Sequence, residues 1–269
     1  MINEFLGTAI KAVESSGKLL VQYFDKLHDS RQKNKNIRDL VTEVDLLAEN
    51  NIKKILSSRF PKHNIIAEES GGFDINSEYC WHVDPIDGTV NYSQGIPLCA
   101  VSIGLELNGE IIVGAVNNPF TGELFYASQG NGAFLNGHEI RVSGKMKLEE
   151  CIYVAAFSSE SDSIKHKEYQ IFGKMNDQTR GVLRIGSAAL ALAYLACGRI
   201  DGFWVKGLYA WDIAGGLALV REAGGQISNI HGNAFEIGES TLVASNSQIH
   251  NLFLDELDNL SNYSSDEKK

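Results

Sequence analysis

The residues best suited to chemistry are two aspartates, Asp84 and Asp87, three positions apart in the segment DPIDGT. This segment follows the apolar run CWHV at 80–83, so we expect it to lie at a proline-assisted bend after a strand. Such a bend can point both carboxylates at one site. Gly88 permits close approach of the backbone, and Thr89 can begin a short helix whose free N–H groups favour an anion. The alternative is a plain turn in which Asp87 and Thr89 only cap that helix.

Three further acids stand beside apolar segments elsewhere in the chain. Glu68 follows a short apolar run, Asp212 begins an apolar helix, and Asp45 lies in an amphipathic helix. Taken singly, each is as typical of a surface charge or a helix N-cap as of a functional site. Buried carboxylates need partners, however, and His82 is the only Lys, Arg or His between residues 64 and 106. Hard divalent cations are therefore the expected partners, and Mg²⁺ suits a site that combines carboxylates with phosphate.

The composition agrees with a cation-assisted site in a globular protein. The 269 residues include 34 acidic and 24 basic side chains, which gives a net charge of −10 and argues against nucleic acid as the main partner. Bound divalent cations would reconcile this charge with an anionic substrate. The four cysteines form no CxxC pair, which indicates reduced thiols rather than a zinc or redox motif. No signal peptide or membrane-spanning run is evident, so we expect a cytoplasmic protein.

The first half of the chain predicts two helices followed by an antiparallel sheet. Helices are expected over 2–25 and 43–60, with a polar, exposed loop or hairpin at 29–38 between them. Short apolar runs separated by turn residues then predict strands. These runs lie at 64–67, 80–83, 100–107, 110–116 and 123–127.

After about residue 145 the pattern alternates between strands and helices, which favours an α/β layer. Strands are predicted at 152–156, 182–185, 200–205, 225–230 and 241–245. Helices are predicted at 164–176, 187–197, 212–223 and 246–260. We therefore divide the chain into an N-terminal α+β sub-domain, 1–145, with most of the acids, and a C-terminal α/β sub-domain, 146–269, with Asp212. No flexible linker separates them, so they are expected to pack as one unit.

Four segments together resemble the motifs of the inositol monophosphatase family of lithium-sensitive, metal-dependent sugar phosphatases. They are DLVTEVD (39–45), IIAEES (65–70), WHVDPIDGTVNY (81–92) and AWDIAGG (210–216). Their order and separations agree from the first helix to about residue 260. The resemblance implies a mixed α/β fold, a layered αβαβα sandwich, that hydrolyses a small phosphate monoester with two or three Mg²⁺ ions and a metal-activated water. It also implies a homodimer.

The resemblance assigns a role to each acid. The first ion would be held by Glu68, Asp84 and the carbonyl of Ile86. The second would be held by Asp84, Asp87 and Asp212. Glu68 would also help to hold a weaker third ion, which makes it part of the catalytic set.

The remaining implied roles concern water and substrate. Asp45 and Thr89 would orient the nucleophilic water. Gly88 and Thr89 would donate backbone N–H groups to the phosphate, and Asp87 would also contact the substrate. The substrate pocket would be lined by Gly186, Ser187 and Ala188.

One position departs from the family pattern. Members that act on inositol phosphates commonly carry Glu seven residues before the aspartate of the WD pair, and here that residue is Val205. Valine cannot accept a hydrogen bond from a hydroxyl group. The following Lys206 could instead contact a second anionic group, or it could be a solvated lysine.

Several substrates and one further function therefore stay open beside inositol-1-phosphate. Sibling substrates are fructose-1,6-bisphosphate, NADP, 3′-phosphoadenosine 5′-phosphate and histidinol phosphate. The alternative of another class is a regulatory binding partner in a transcription complex.

Overall fold

The computed structural model describes residues 1–32, 37–72, 77–157 and 162–262, which form alternating layers of helices and strands. Two long helices, α1 (Ile2–Gln32) and α2 (Ile37–Arg59), make the first layer. The apolar side chains that α1 buries recur every three or four residues, so one stripe of the helix faces the sheet beneath it. They are Phe5, Ala9, Ala12, Val13 and Leu20.

The predicted loop at 29–38 is wrong for the residues that the structure describes. Helix α1 continues to Gln32 and α2 begins at Ile37, while residues 33–36 lie outside the described ranges. The segment contains neither glycine nor proline, so its residue types do not end a helix. A polar composition alone does not distinguish a loop from the solvent-exposed end of a helix.

The second layer is an eight-stranded sheet with the order β2-β1-β3-β4-β5-β6-β7-β8. Its strands are β1 (Asn64–Ala67), β2 (Gly71–Gly72), β3 (Tyr79–Asp87), β4 (Ala100–Leu107), β5 (Glu110–Asn118), β6 (Glu123–Ser128), β7 (Ala133–Leu135) and β8 (His138–Ile140). A short helix, α3 (Thr89–Gln94), follows β3. The sheet is antiparallel as predicted, except that β1 and β3 are parallel. The connection over 68–78 is long enough to return the chain to the same end of the sheet, which a hairpin cannot do.

The second half of the chain supplies the other three layers. Its strands are β9 (Ile152–Ala156), β10 (Gly181–Leu183), β11 (Gly202–Lys206), β12 (Gly225–Ser228) and β13 (Thr241–Asn246), in the sheet order β10-β9-β11-β13-β12. Its helices are α4 (Asp162–Gln178), α5 (Ala188–Ala196), α6 (Ala210–Glu222) and α7 (His250–Asn262). Helices α5 and α6 lie between the two sheets, and α4 and α7 pack outside the second. The predicted αβαβα sandwich is confirmed.

Three apolar cores hold these layers together: one between the first sheet and helices α1 and α2, a central core around α5 and α6 between the two sheets, and one beneath α4 and α7. Helix α5 is the most apolar, and eight of its nine residues are buried in the central core. The four cysteines are free thiols, as predicted. Over the described ranges, no helix is both long and apolar enough to cross a lipid bilayer.

Helix α6 lies unusually close to the first sheet because glycines occupy both surfaces. A Cβ added at Gly114 of β5 would come within 2.2 Å of the Gly215 carbonyl oxygen of α6. One added at Gly104 of β4 would come within 2.5 Å of the Ala214 Cβ. Because these glycines carry no side chains, α6 can pack close to the sheet. This short distance determines the position of Asp212, which lies in the first turn of α6.

We predict that Gly114→Ala lowers the free energy of unfolding by about 2 kcal/mol or more, because the added methyl group overpacks this contact. Urea denaturation of purified protein measures the change. Gly173→Ala is the matched control, because a Cβ added at Gly173 of α4 would meet no heavy atom within 4 Å beyond its own helix backbone. There the same substitution should leave stability unchanged or raise it by about 0.5–1 kcal/mol. Equal effects at the two positions would contradict the close-packing account.

Candidate active site

Acids from four separate elements meet at one end of the first sheet. Asp45 comes from α2, Glu68 follows β1, Asp84 lies in β3, and Asp212 lies in the first turn of α6. The carboxyl groups of Glu68 and Asp84 are hydrogen-bonded to each other, and Asp212 is close enough to raise the pKa of both. Asp45 is close enough to Glu68 for that charge to raise the Asp45 pKa. The structure thus brings together acids that are up to 167 positions apart in the chain.

The end of β3 places its two aspartates through an irregularity in the strand. Asp84 pairs with Ser102 and Asp87 pairs with Ala100, so β3 has one more residue than β4 over this stretch. The Asp84 carboxylate accepts the N–H of Ile86 at 3.0 Å, and the intervening proline has no N–H to donate. The expected bend after the strand is therefore a bulge within it.

The turn after Asp87 is held so tightly that only glycine fits at its centre. Gly88 has φ 94°, and a Cβ there would lie 2.9 Å from the Leu98 carbonyl oxygen. The Thr89 hydroxyl donates to the Ile86 carbonyl at 3.0 Å. Asn91 then donates to the carbonyl oxygens of Leu98 and Ile185, each at 2.7 Å. The predicted phosphate-binding turn is thus joined to the predicted substrate segment.

The carboxylate of Asp87 caps helix α5. It accepts the Ser187 hydroxyl and the backbone N–H groups of Ala188 at 3.1 Å and Ala189 at 2.7 Å. Burial raises the pKa of Asp87 to about 7 against the opposing effect of these hydrogen bonds, and the charge of Asp212 adds to the rise. Ser187 and Ala188 are buried beside Asp87, whereas Gly186 is exposed. The predicted pocket segment is therefore in direct contact with a predicted metal ligand.

The electrostatics of the cluster are those of like charges held in a poorly solvated space. Burial raises the pKa of Asp45 to about 8, helped by the charges of Glu69, Glu68 and Glu49. Burial also raises the pKa values of Asp84, Asp212 and Glu68, although Glu68 faces solvent more than the others. The charged groups that contribute most to these shifts are other carboxylates. The one base of the surrounding segment, His82, pairs with Glu106 at 2.7 Å.

This donor set fits divalent cations. Within the described residues, the Oδ1 atom of buried Asp45 has no hydrogen-bond partner. No three His, Cys, Asp or Glu side chains in the same ranges already form a cation cage. The Glu68–Asp84 contact holds two carboxyl groups side by side, and such a pair is stabilised by a proton or by a cation that both groups bind. The acids form a cluster that cations can order, rather than a finished cage.

Sequence reasoning missed Glu49, which positions the turn that carries Glu68. Its buried carboxylate accepts the N–H of Glu69 at 2.9 Å, and Lys53 lies 3.8 Å from it. Lys53 also donates to the Ser70 hydroxyl at 2.8 Å. The available signal was spacing, because Asp45, Glu49 and Lys53 recur every four residues on one face of α2.

Val205, which differs from the family pattern, and the following Lys206 lie on opposite faces of β11. Val205 is 4% exposed and packs in the central core, whereas Trp204 packs in the core beneath α4 and α7. Side chains alternate along a strand, so Lys206 shares the face of Trp204. Its contact with substrate stays a prediction.

A cavity of about 760 Å³ lies at the other end of α6 and includes none of the predicted site residues. It is bordered by Glu106, Glu110, Arg221, Phe235 and Glu236, among others. The residues suited to phosphate chemistry are therefore at the opposite end of the helix from this cavity.

Comparison with known proteins identifies the family of the chain. Residues 1–262 match the model of the "Inositol monophosphatase family". An inositol-1-monophosphatase of Synechocystis sp. is 38% identical over 250 residues, which cover 93% of this chain and 87% of that protein. The Pseudomonas aeruginosa protein named Nus factor SuhB is 38% identical over 248 residues, 90% of this chain and 92% of that one. The solved inositol monophosphatase of Anabaena superposes with a TM-score of 0.87 at 35% identity, covering 96% of each chain.

We predict that the metal-free protein loses stability as the pH rises from 6.5 to 8. Folded Asp45 and Asp87 hold their protons up to pH values near 8 and 7, whereas unfolded aspartate releases its proton near 3.8. The folded state binds more protons in this window, so the free energy of unfolding falls with pH. Burial lowers the pKa of His250 to about 4, which gives an opposite slope that is largest between pH 4 and 6.5 and fades above pH 6.5, as the unfolded histidine also loses its proton.

Urea denaturation in a chelator at pH 6.5 and 8 tests this pH dependence. Asp45→Asn should flatten it, and Asp255→Asn, at an exposed position on α7, should not. A stability that rises over this interval would contradict the account.

Proposed function

The chain belongs to the inositol monophosphatase family, whose members are phosphatases, and we propose that it hydrolyses a small phosphate monoester with Mg²⁺. Inositol-1-phosphate is the leading substrate. The observation that carries this proposal is the convergence of Asp45, Glu68, Asp84 and Asp212 on a space where their strongest charged neighbours are carboxylates. Cations bound there would offset the repulsion and supply the positive charge that a phosphate substrate needs.

The proposed ligands are those that the resemblance assigns. Glu68, Asp84 and the Ile86 carbonyl would hold one ion, and Asp84, Asp87 and Asp212 a second, with Glu68 shared by a weaker third. When bound, such ions lower the pKa of a coordinated water and neutralise charge on the phosphate oxygens. Hard oxygen donors of this kind favour Mg²⁺ over softer metals.

The protein's own groups would orient the reactants. Asp45 has a carboxylate oxygen without a hydrogen-bond partner among the described residues, which suits it to hold the attacking water. Thr89 would hold the same water through its hydroxyl group, which donates to the Ile86 carbonyl. The missing side chain of Gly88 lets the backbone N–H groups of Gly88 and Thr89 approach the phosphate.

A monoester is favoured over the bisphosphate substrates of sibling enzymes. A second phosphate would need a cation of its own, and Lys206 is the candidate. Its place on the face of β11 opposite to Val205 weighs against that contact. A homodimer is proposed from the family resemblance.

The second candidate function is regulatory binding in a transcription complex. It is favoured by the name "Nus factor SuhB" of several relatives, including those at 38% and 36% identity. A purely regulatory protein has no need of a repelling carboxylate cluster, so the set present here supports catalysis, with or without that second role.

We predict that phosphate release from inositol-1-phosphate requires Mg²⁺ and that Asp84→Asn lowers it more than about a hundredfold. Asparagine keeps the acceptor for the Ile86 N–H but lacks the charge that both proposed ions share. Groups that merely support metal ligands already cost roughly 10–100-fold when removed. A phosphate-release assay with Mg²⁺ or chelator measures the effect.

The matched control is Asp177→Asn, the same change at an exposed position in α4. It should retain wild-type turnover. Release that continues in chelator would refute the metal dependence, and no release from any monoester with Mg²⁺ present would refute the enzyme.

A further inference from the structure

Two aromatic rings stand beside the carboxylate cluster. Tyr209 and Trp211 are stacked with ring centroids 4.7 Å apart and an interplanar angle of 13°. Tyr209 is 64% exposed, whereas Trp211 is half-buried. One face of the tyrosine ring is therefore covered by the tryptophan, and most of the rest of the side chain is open to solvent.

The backbone ties this pair to the cluster. The N–H of Tyr209 donates to the Asp212 carboxylate at 2.9 Å. The preceding loop is held by the N–H of Gly207, which donates to the Ser240 carbonyl at 2.8 Å. Tyr209 is thus fixed at the rim of the cluster, beside an acid proposed to hold the second ion.

The neighbouring strand offers little for polar recognition. Val205 is buried and apolar, and Lys206 lies on the opposite face of β11. Position 205 offers a leaving group no carboxylate, so its ring would meet the aromatic surface of Tyr209 next to Asp212. Aromatic faces carry partial negative charge and attract the partially positive C–H edges of a ring.

We propose that Tyr209, backed by Trp211, is the platform on which the leaving group stacks, and that it favours monoesters whose ester oxygen sits directly on a ring carbon. A cyclitol phosphate belongs to this class. The inference rests on the proposed function, since it assumes that the phosphate is held by the cluster. Because the backbone N–H of Tyr209 is hydrogen-bonded to the Asp212 carboxylate, we place the Tyr209 ring beside the first ring beyond the phosphate. The base of a nucleoside 5′-phosphate is separated from the phosphate by a whole sugar.

The test compares a cyclic with an acyclic substrate. The measured quantity is kcat/KM for inositol-1-phosphate divided by kcat/KM for glycerol-2-phosphate, at one saturating Mg²⁺ concentration. We expect Tyr209→Ala and Tyr209→Leu to lower this ratio about threefold to tenfold, mainly through KM for the cyclic substrate. Tyr209→Phe, which keeps the ring, should hold the ratio within about twofold of wild type.

Tyr169→Ala is the matched control, because Tyr169 is a 53% exposed tyrosine on α4 whose ring also contacts another aromatic ring. It should leave the ratio unchanged. A ratio that Tyr209→Ala and Tyr209→Leu do not alter would overturn the platform. So would a loss confined to nucleoside 5′-phosphates, which would indicate stacking of a base. If wild-type protein hydrolysed neither substrate with Mg²⁺, the proposed function itself would fail.

Discussion

Repulsion between carboxylates in a poorly solvated space is the constraint on which the rest of the structure depends. Asp84 is buried, is hydrogen-bonded to Glu68 and is repelled by the charges of Asp87 and Asp212. Such an arrangement costs stability unless protons or cations offset the charge. The layers must therefore be stable enough in themselves to hold the acids together. The large apolar cores on both faces of the first sheet provide that stability.

Each acidic residue lies on an element that is positioned by its own packing contacts or hydrogen bonds. Helix α6 carries Asp212 and is seated on the first sheet by contacts that admit no side chain at Gly114. The turn with Glu68 is pinned to α2 through Glu49. Asp87 is fixed by the first N–H groups of α5. The geometry of the site is thus a consequence of packing between layers, and not of any one motif.

The sequence predicted most strands and the acids themselves, because these depend on local apolar patterns and on residue type. It missed what depends on contacts between distant segments. The extension of α1 to Gln32 was missed because polar residues suit a loop and a helix surface equally, although the segment lacks the glycine or proline that would end a helix. The parallel pairing of β1 with β3, the role of Glu49 and the capping of α5 by Asp87 arise only when separate elements meet. The Tyr209–Trp211 stack could not be predicted from the sequence either, because the spacing of the two residues does not show that one ring is exposed.

The most direct test of the central claim is anomalous diffraction from crystals soaked in Mn²⁺, which prefers the same hard oxygen ligands as Mg²⁺. We expect at least one strong anomalous peak in contact with the Asp84 carboxylate, with Glu68 or Asp87 as a further ligand. Glu68 and Asp84 would no longer be hydrogen-bonded to each other in that crystal. A fully soaked crystal with no peak at Asp84, and with the Glu68–Asp84 hydrogen bond intact, would contradict it.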